Sequence, residues 1–243
     1  MEMKETTFKG FKMNGFAMLF LLLLLLGVSA LCFWAIQFID GWGAGLGLAF
    51  ILLFFFLLPG LITVEPNEAR AMVFFGRYKG TFAQEGFFFV NPFLNKKKLS
   101  LRARNLDVEP IKVNDKIGNP ILIGLVLVWK LKDTYKAMFE IDAQTMAASN
   151  NPTTGGQTVA GRMTAFENFV KIQSDAALRQ VAGQYAYDDN EGCADELTLR
   201  SGGEEINDEL ERKLNERLAM AGMEVVEARI NYLAYAPEIA AVM

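Results

Sequence analysis

The stretch VFFGRYKGTFAQEGFFFVNPF, residues 73–93, holds eight aromatics, three of them consecutive at Phe87, Phe88 and Phe89. It follows a segment of membrane composition, so its reading decides whether the protein is mostly membrane or mostly a domain standing on an anchor. Its punctuation favours strands. EARAMVFFG (68–76) alternates like a strand, Gly76 breaks it, RYKGTFAQEG reads as a turn region, and FFFV is a second strand stopped by Asn91 and Pro92. An apolar run of four residues cannot cross a hydrocarbon core about 30 Å thick, and is what a buried strand looks like. The expected unit is therefore a two-stranded hairpin. Alternation along FFFV sends Phe88 to the face opposite Phe87 and Phe89, so at least one face is expected to meet lipid or a neighbouring subunit.

Upstream lie two uncharged runs. FAMLFLLLLLLGVSALCFWAIQFI (16–39) and GWGAGLGLAFILLFFFLLPGLITV (41–64) each hold 24 residues, enough for a helical crossing. The first is too long for the core of a signal peptide, and a second follows almost at once, which suits a helical hairpin with spans at about 16–39 and 42–62. Pro59 and Gly60 mark the end of the second helix. Lys4, Lys9 and Lys12 precede the first span, while Arg70, Arg77 and Lys79 follow the second and only Asp40 lies between. The basic residues put both ends in the cytoplasm, making an inner-membrane protein with a cytoplasmic N-terminus and domain. Cys32 inside the first span and Cys193 in the soluble part are not placed to pair, which fits a reducing compartment. Gly41, Gly43, Gly45 and Gly47 supply two overlapping G-x-x-x-G pairs. They either let two helices approach closely or make the turn between spans.

Beyond the spans the triplet Lys96, Lys97, Lys98 reads either as a contact with anionic head groups or as a solvated turn. LSLRARNLDVEPIKVND continues in strand rhythm, and PILIGLVLVWKL (120–131) reads as a central strand buried on both faces. Asp133 caps a short helix. Residues 146–161 have loop composition. Thr164 with Glu167 and Ser201 with Glu204 have capping-box spacing and mark the starts of two helices. The first has Phe166, Phe169, Val170, Leu178 and Val181 as core contacts; the second has Ile206, Leu210, Leu214 and Leu218, and Gly222 ends it. MEVVEARINYLAYAP gives a last strand with Val226, Ala228, Ile230 and Tyr232 on one face, and Pro237 opens a further helix.

The order of these segments resembles the SPFH domain, the fold of stomatin, prohibitin, flotillin and the bacterial HflK and HflC proteins. The resemblance rests on Val64, Pro66, Glu68, Ala69 and Gly76, then Gly86, Phe89, Pro92 and Phe93, then Asp115, Trp129, Leu131 and Asp133, and it covers residues 60–243. It implies an α+β chain organised as a tail (1–15), two transmembrane helices (16–62), an SPFH domain with a mainly antiparallel sheet and packed helices (63–236), and the start of a C-terminal helix (237–243). The loop at 146–161 is longer than the family pattern suggests. Members usually continue past a segment like YAPEIAAVM into a coiled coil that assembles many subunits.

The chemistry excluded by the residues is extensive. With no histidine and a net charge of −4, the chain offers no Ser-His-Asp triad, no histidine metal ligand and no basic surface for nucleic acid. The carboxylates at 204–216 alternate with Arg212, Lys213 and Arg217 as on a solvated helix face, and Asp188, Asp189, Glu191 and Asp195 lack calcium-loop spacing. No cofactor is expected. The reading is a non-enzymatic membrane scaffold that forms homo-oligomers and, as the resemblance implies, organises lipids or regulates membrane proteins such as proteases. An adaptor acting alone on one partner is the alternative, and a membrane hydrolase using carboxylates only is a third class. Phe87, Phe88, Phe89 and the lysine triplet are the expected surface contacts, and Gly41, Gly43, Gly45 and Gly47 the expected helix-packing positions.

Overall fold

The computed structural model describes residues 5–35, 42–140, 159–188 and 197–240. The chain is α+β and divides into two compact units, residues 1–99 and 100–243. Gly41, Cys193, Asp189, Glu191, Asp195 and the loop residues 146–158 lie outside the described residues.

The first unit begins with β1 (Lys12–Asn14), which runs directly into α1 (Gly15–Ala35); α2 (Trp42–Leu57) follows. Asn14 makes the junction possible, because its Oδ1 accepts the Phe16 N–H at 2.9 Å and satisfies a helix-start donor. The two helices pack antiparallel. Near the domain Met18 and Leu22 of α1 meet Phe54 and Leu57 of α2, and at the far end the Phe33 ring lies over Gly47. α1 is apolar all round, exposing Phe16, Phe20 and Leu31, and its Ser29 hydroxyl is satisfied by the Leu26 carbonyl at 2.7 Å. Among the described residues it is the one helix long and apolar enough to cross a membrane.

α2, with 16 residues, is about 24 Å long. It stops short of the expected residue 62, since Leu58–Gly60 tightens into a 3-10 turn and Leu61–Val64 becomes strand β2. Pro59 has no amide hydrogen to continue the helical ladder, and the β-branched Ile62, Thr63 and Val64 find a strand partner instead.

Four more strands complete this unit: β3 (Glu68–Phe74), β4 (Arg77–Phe82), β5 (Gly86–Val90) and β6 (Leu94–Ser100). They form two three-stranded sheets, in the orders β1-β5-β2 and β4-β3-β6. The expected hairpin therefore has different partners. Residues 77–82 are strand rather than turn, and β3 pairs with β4 while β5 belongs to the other sheet. The reason is the two-residue loop Phe75-Gly76, with φ of 42° and 82°. Two consecutive left-handed residues match the twist of a tight hairpin, so the chain reverses at Gly76 and leaves no room for a ten-residue turn.

In the second unit β7 (Arg104–Asn114), β8 (Pro120–Leu131) and β9 (Met223–Tyr235) form an antiparallel sheet with β8 central. Four helices accompany it: α3 (Thr134–Phe139), α4 (Val159–Ala182), α5 (Gly203–Leu218) and α6 (Pro237–Ala240). α5 packs on β9, and α4 on α5 and β7. Ile206, Leu210, Leu214 and Leu218 are fully buried, as their four-residue spacing requires. Asp133 caps α3 by accepting the Lys136 N–H at 3.0 Å, and Gly222, at φ 65°, ends the helical segment. Phe166, Val170, Leu178 and Val181 are buried, whereas Phe169 is only half-buried.

Four expectations change here. β8 buries one face completely, with Ile121, Ile123, Leu125, Leu127 and Trp129, but Leu122, Val126 and Val128 on the other are half-exposed, because the helices cover one side. α4 starts at Val159, so Thr164 lies inside it and its hydroxyl donates to the Ala160 carbonyl at 3.1 Å. α5 starts at Gly203 behind Gly202, which has no side-chain cap, while Ser201 and Thr198 exchange side-chain to amide bonds at 3.1 Å. Capping-box spacing also occurs where the hydroxyl has a nearer partner. Finally, Val226 and Tyr232 are exposed. Bulges opposite Val128/Trp129 and Gly124/Leu125 reset the alternation, so Val225 and Ala228 both point inward.

Candidate functional site

The base of the helix pair is built on β5. β2, leaving α2, pairs with one edge of β5 (Leu61 with Phe89, Ile62 with Phe88, Thr63 with Phe87), and β1, entering α1, pairs with the other (Lys12 with Val90, Met13 with Phe89, Asn14 with Phe88). One five-residue strand thus holds both helix ends. The glycines at the two junctions carry the approach: a Cβ on Gly15 would meet the Phe87 ring at 2.5 Å, and one on Gly60 would collide with the Phe89 ring.

The aromatic triplet divides as strand alternation demands. Phe89, buried, packs with Met18 and Leu22 of α1, and half-buried Phe87 stands edge-on to Phe16, centroids 5.2 Å apart. Phe88, also half-buried, faces the other way, into a core of Ile62, Val64, Met72, Phe82, Val90 and Leu94, with the Phe82 ring 5.1 Å away. Of the three, Phe89 is interior, while Phe87 and Phe88 each keep part of their surface exposed, Phe88 with its buried part against the sheet core.

The lysine triplet is strand β6 rather than a turn. Lys96 donates to the Pro59 carbonyl, one of the acceptors that the end of α2 leaves open. Burial, and secondarily the charge of Arg70, lowers the Lys96 ammonium below its ordinary value. Lys98 reaches Glu68 at 2.6 Å, and Arg70 Nε donates to the same carboxylate at 3.1 Å while its Nη2 donates to the Thr63 carbonyl at 2.5 Å. Burial pushes the Glu68 carboxyl up, but hydrogen bonds from Lys98 and Arg70 together outweigh it and hold the group below its ordinary value. This network ties β2, β3 and β6 together at the foot of α2. Lys97 also has an interaction partner. Of the glycines, Gly47 meets α1, Gly45 faces open space, and Gly43 lies within α2.

The N-terminal segment is the feature that sequence reasoning missed. Residues 6–8 add to the edge of β4, where Phe8 N–H donates to the Thr81 carbonyl at 2.9 Å and Thr81 N–H to the Thr6 carbonyl at 2.7 Å. Residues 12–14 then add to β5. Gly80, at φ 125°, is where this strap crosses, and a Cβ there would lie 2.8 Å from the Phe8 backbone. One signal was available: Asn14 directly before an apolar run is a helix-start residue. The strap itself left none, because two short pairings carry no period.

Elsewhere the carboxylates serve structure. Asp115 accepts the amides of Ile117, Gly118 and Asn119, the last at 2.7 Å, and that of Tyr187 at 3.1 Å, so it ties the β7–β8 turn to the segment after α4. Asp188 pairs with Arg200 at 2.8 Å on the surface, and Arg212 pairs with Glu216 along α5 at 2.6 Å. Among the described residues no group of histidine, cysteine and carboxylate side chains is arranged to hold a metal. A sequence model of one family, described as SPFH domain / Band 7 family, matches residues 62–243. No curated protein matches the chain.

Proposed function

Because the chain belongs to the SPFH domain / Band 7 family, whose members are generally non-enzymatic membrane scaffolds, we propose that it is a scaffold of that kind. It is anchored by the α1–α2 pair and assembles with copies of itself to organise lipids or to regulate membrane proteins such as proteases.

The observation that carries the reading is the pairing of β1 and β2 with the same strand, β5. A chain whose entry to α1 and exit from α2 are hydrogen-bonded to one strand has both on the same side of the bilayer, so the pair either crosses twice or dips in and returns. With the lysines ahead of α1 and Arg70, Arg77 and Lys79 beyond α2, that side is the cytoplasm. The hairpin holds the strands of residues 61–99 at the surface, since the Glu68 network and Lys96 brace the foot of α2. In the second unit the half-exposed Leu122, Val126 and Val128, with exposed Val226 and Tyr232, support lateral contacts between copies.

Two measurements test this. Native-size analysis of the full chain in mild detergent should give particles of several subunits; monomers alone would sink the scaffold and leave an adaptor. Membrane-impermeant thiol labelling of Cys193 in intact cells should fail until the cells are opened, and strong labelling from outside would reverse the orientation.

A further inference from the structure

The strap leaves β4 after Phe8 and rejoins the domain at Lys12, and between these two pinned points residues 9–11 line one side of an open cavity of about 400 Å³. Phe8, Phe11, Phe74 and Leu94 form its apolar wall, and the exposed Lys9 and Lys79 stand at its margin. Among the described residues no carboxylate pairs with either lysine.

Three features fix what such a site would take. The volume lies toward the small end of the roughly 300–1,000 Å³ of small-molecule sites, enough for a head group and the first part of its chains. The apolar wall continues beyond the cavity: Phe74 stands edge-on to Phe75 (4.8 Å), Phe75 lies 6.3 Å from Phe93, and Phe93 lies 5.2 Å from Phe56 of α2. Phe75 is 80% exposed and Phe93 54%, so the aromatic run is open along its length and reaches the anchor helix itself. The height is also right. Phe11 stands four residues before Gly15, at most about 14 Å of extended chain from the start of α1, and the head-group layer begins where the apolar helix ends.

We propose that this strap-lined cavity binds one anionic phospholipid of the adjoining leaflet, with Lys9 and Lys79 on the phosphate and the aromatic wall along the glycerol and upper chains. The proposal rests on the anchoring stated above. The strap then has a second role besides fastening the helix: it completes a lipid site that residues 61–99 alone would leave open on one side.

The test uses the full chain reconstituted into vesicles of equal parts phosphatidylcholine and phosphatidylglycerol, extracted gently and examined by native mass spectrometry for retained lipid. The wild-type chain should keep phosphatidylglycerol preferentially. Lys9→Gln with Lys79→Gln should cut that preference about twenty-five-fold, each lysine near a membrane surface contributing about fivefold. Phe11→Ser, which keeps every charge and alters an exposed side chain, should also lower retention, whereas Lys213→Gln on α5 should not. Undiminished preference in the double lysine variant, or an equal loss in Lys213→Gln, overturns the site; full retention in Phe11→Ser reduces it to surface charge and overturns it too. If the wild-type chain fails to enter the vesicles, the anchoring reading falls and the site with it; if it enters but shows no preference, only the site falls.

Discussion

The two units are built by opposite rules. The sheet of residues 100–243 has strands of 11 to 13 residues and a helix with leucines four apart; each element carries enough repeats of its own period to declare its buried face. The unit of residues 1–99 has strands of 3 to 7 residues, too short to declare much, and its order comes from what each strand is laid against. β5 is the extreme case, since its two neighbours are separated by the whole helix pair. Long elements choose their own faces, whereas short ones have them chosen by partners.

The largest effect should come from the unit with the self-declared core. Leu214→Ala, emptying a fully buried site between α5 and β9, should cost about 2–5 kcal/mol, read from the fluorescence of Trp129 on denaturation after Trp34 and Trp42 are replaced by Phe. An effect below that range would show the helix layer to be looser than its burial.

In the first unit Gly80→Val should displace the strap, because its Cβ would meet the Phe8 backbone and φ 125° disfavours any side chain. Proteolysis of residues 5–11 should accelerate at least tenfold, an opening cost lowered by about 1.4 kcal/mol or more, while the Trp129 transition stays in place. A shifted Trp129 transition would break the separation between the units.

Glu68 sharpens the same contrast through pH. Its folded value is depressed, so it binds its proton less readily folded than unfolded, and its stabilisation is present above the ordinary carboxyl value of 4.5 and lost as pH falls through the lower folded value. Acid should therefore loosen the foot of α2, and Glu68→Gln should remove part of that sensitivity; an unchanged pH profile for strap proteolysis would remove Glu68 from the brace.

Smaller still, Asn14→Ala should cost about 1 kcal/mol in the first unit through loss of the α1 cap, seen as faster exchange of the Phe16 amide. Least of all, Lys112→Ala should leave the unfolding midpoint essentially unchanged, since its partner Glu238 is exposed.

Much of the fold was legible. The apolar runs marked both helices, Pro59 and Gly60 marked the end of α2, and the buried face of α5 could be read directly because Ile206, Leu210, Leu214 and Leu218 recur every four residues among charges. The misplacements have a common physical origin. RYKGTF looked like a turn because its polar residues and Gly80 mask a strand whose hydrogen bonds depend on β3 and the strap. The lysine triplet looked solvated because nothing local says that Pro59 and Glu68 will be brought to Lys96 and Lys98. Val226 changed face because a bulge is decided by the partner strand.

The sequence by itself determined the class of protein: composition set the apolar helices, serial motifs set the SPFH family, and the absence of histidine removed whole groups of chemistry. Only the tertiary structure decided that the tail before α1 and the strand after α2 close on the same β5, and that the strap lines a cavity. Those are contacts between residues far apart in the chain, whose free energy arises from backbone hydrogen bonds and packing that exist only once both partners are in place.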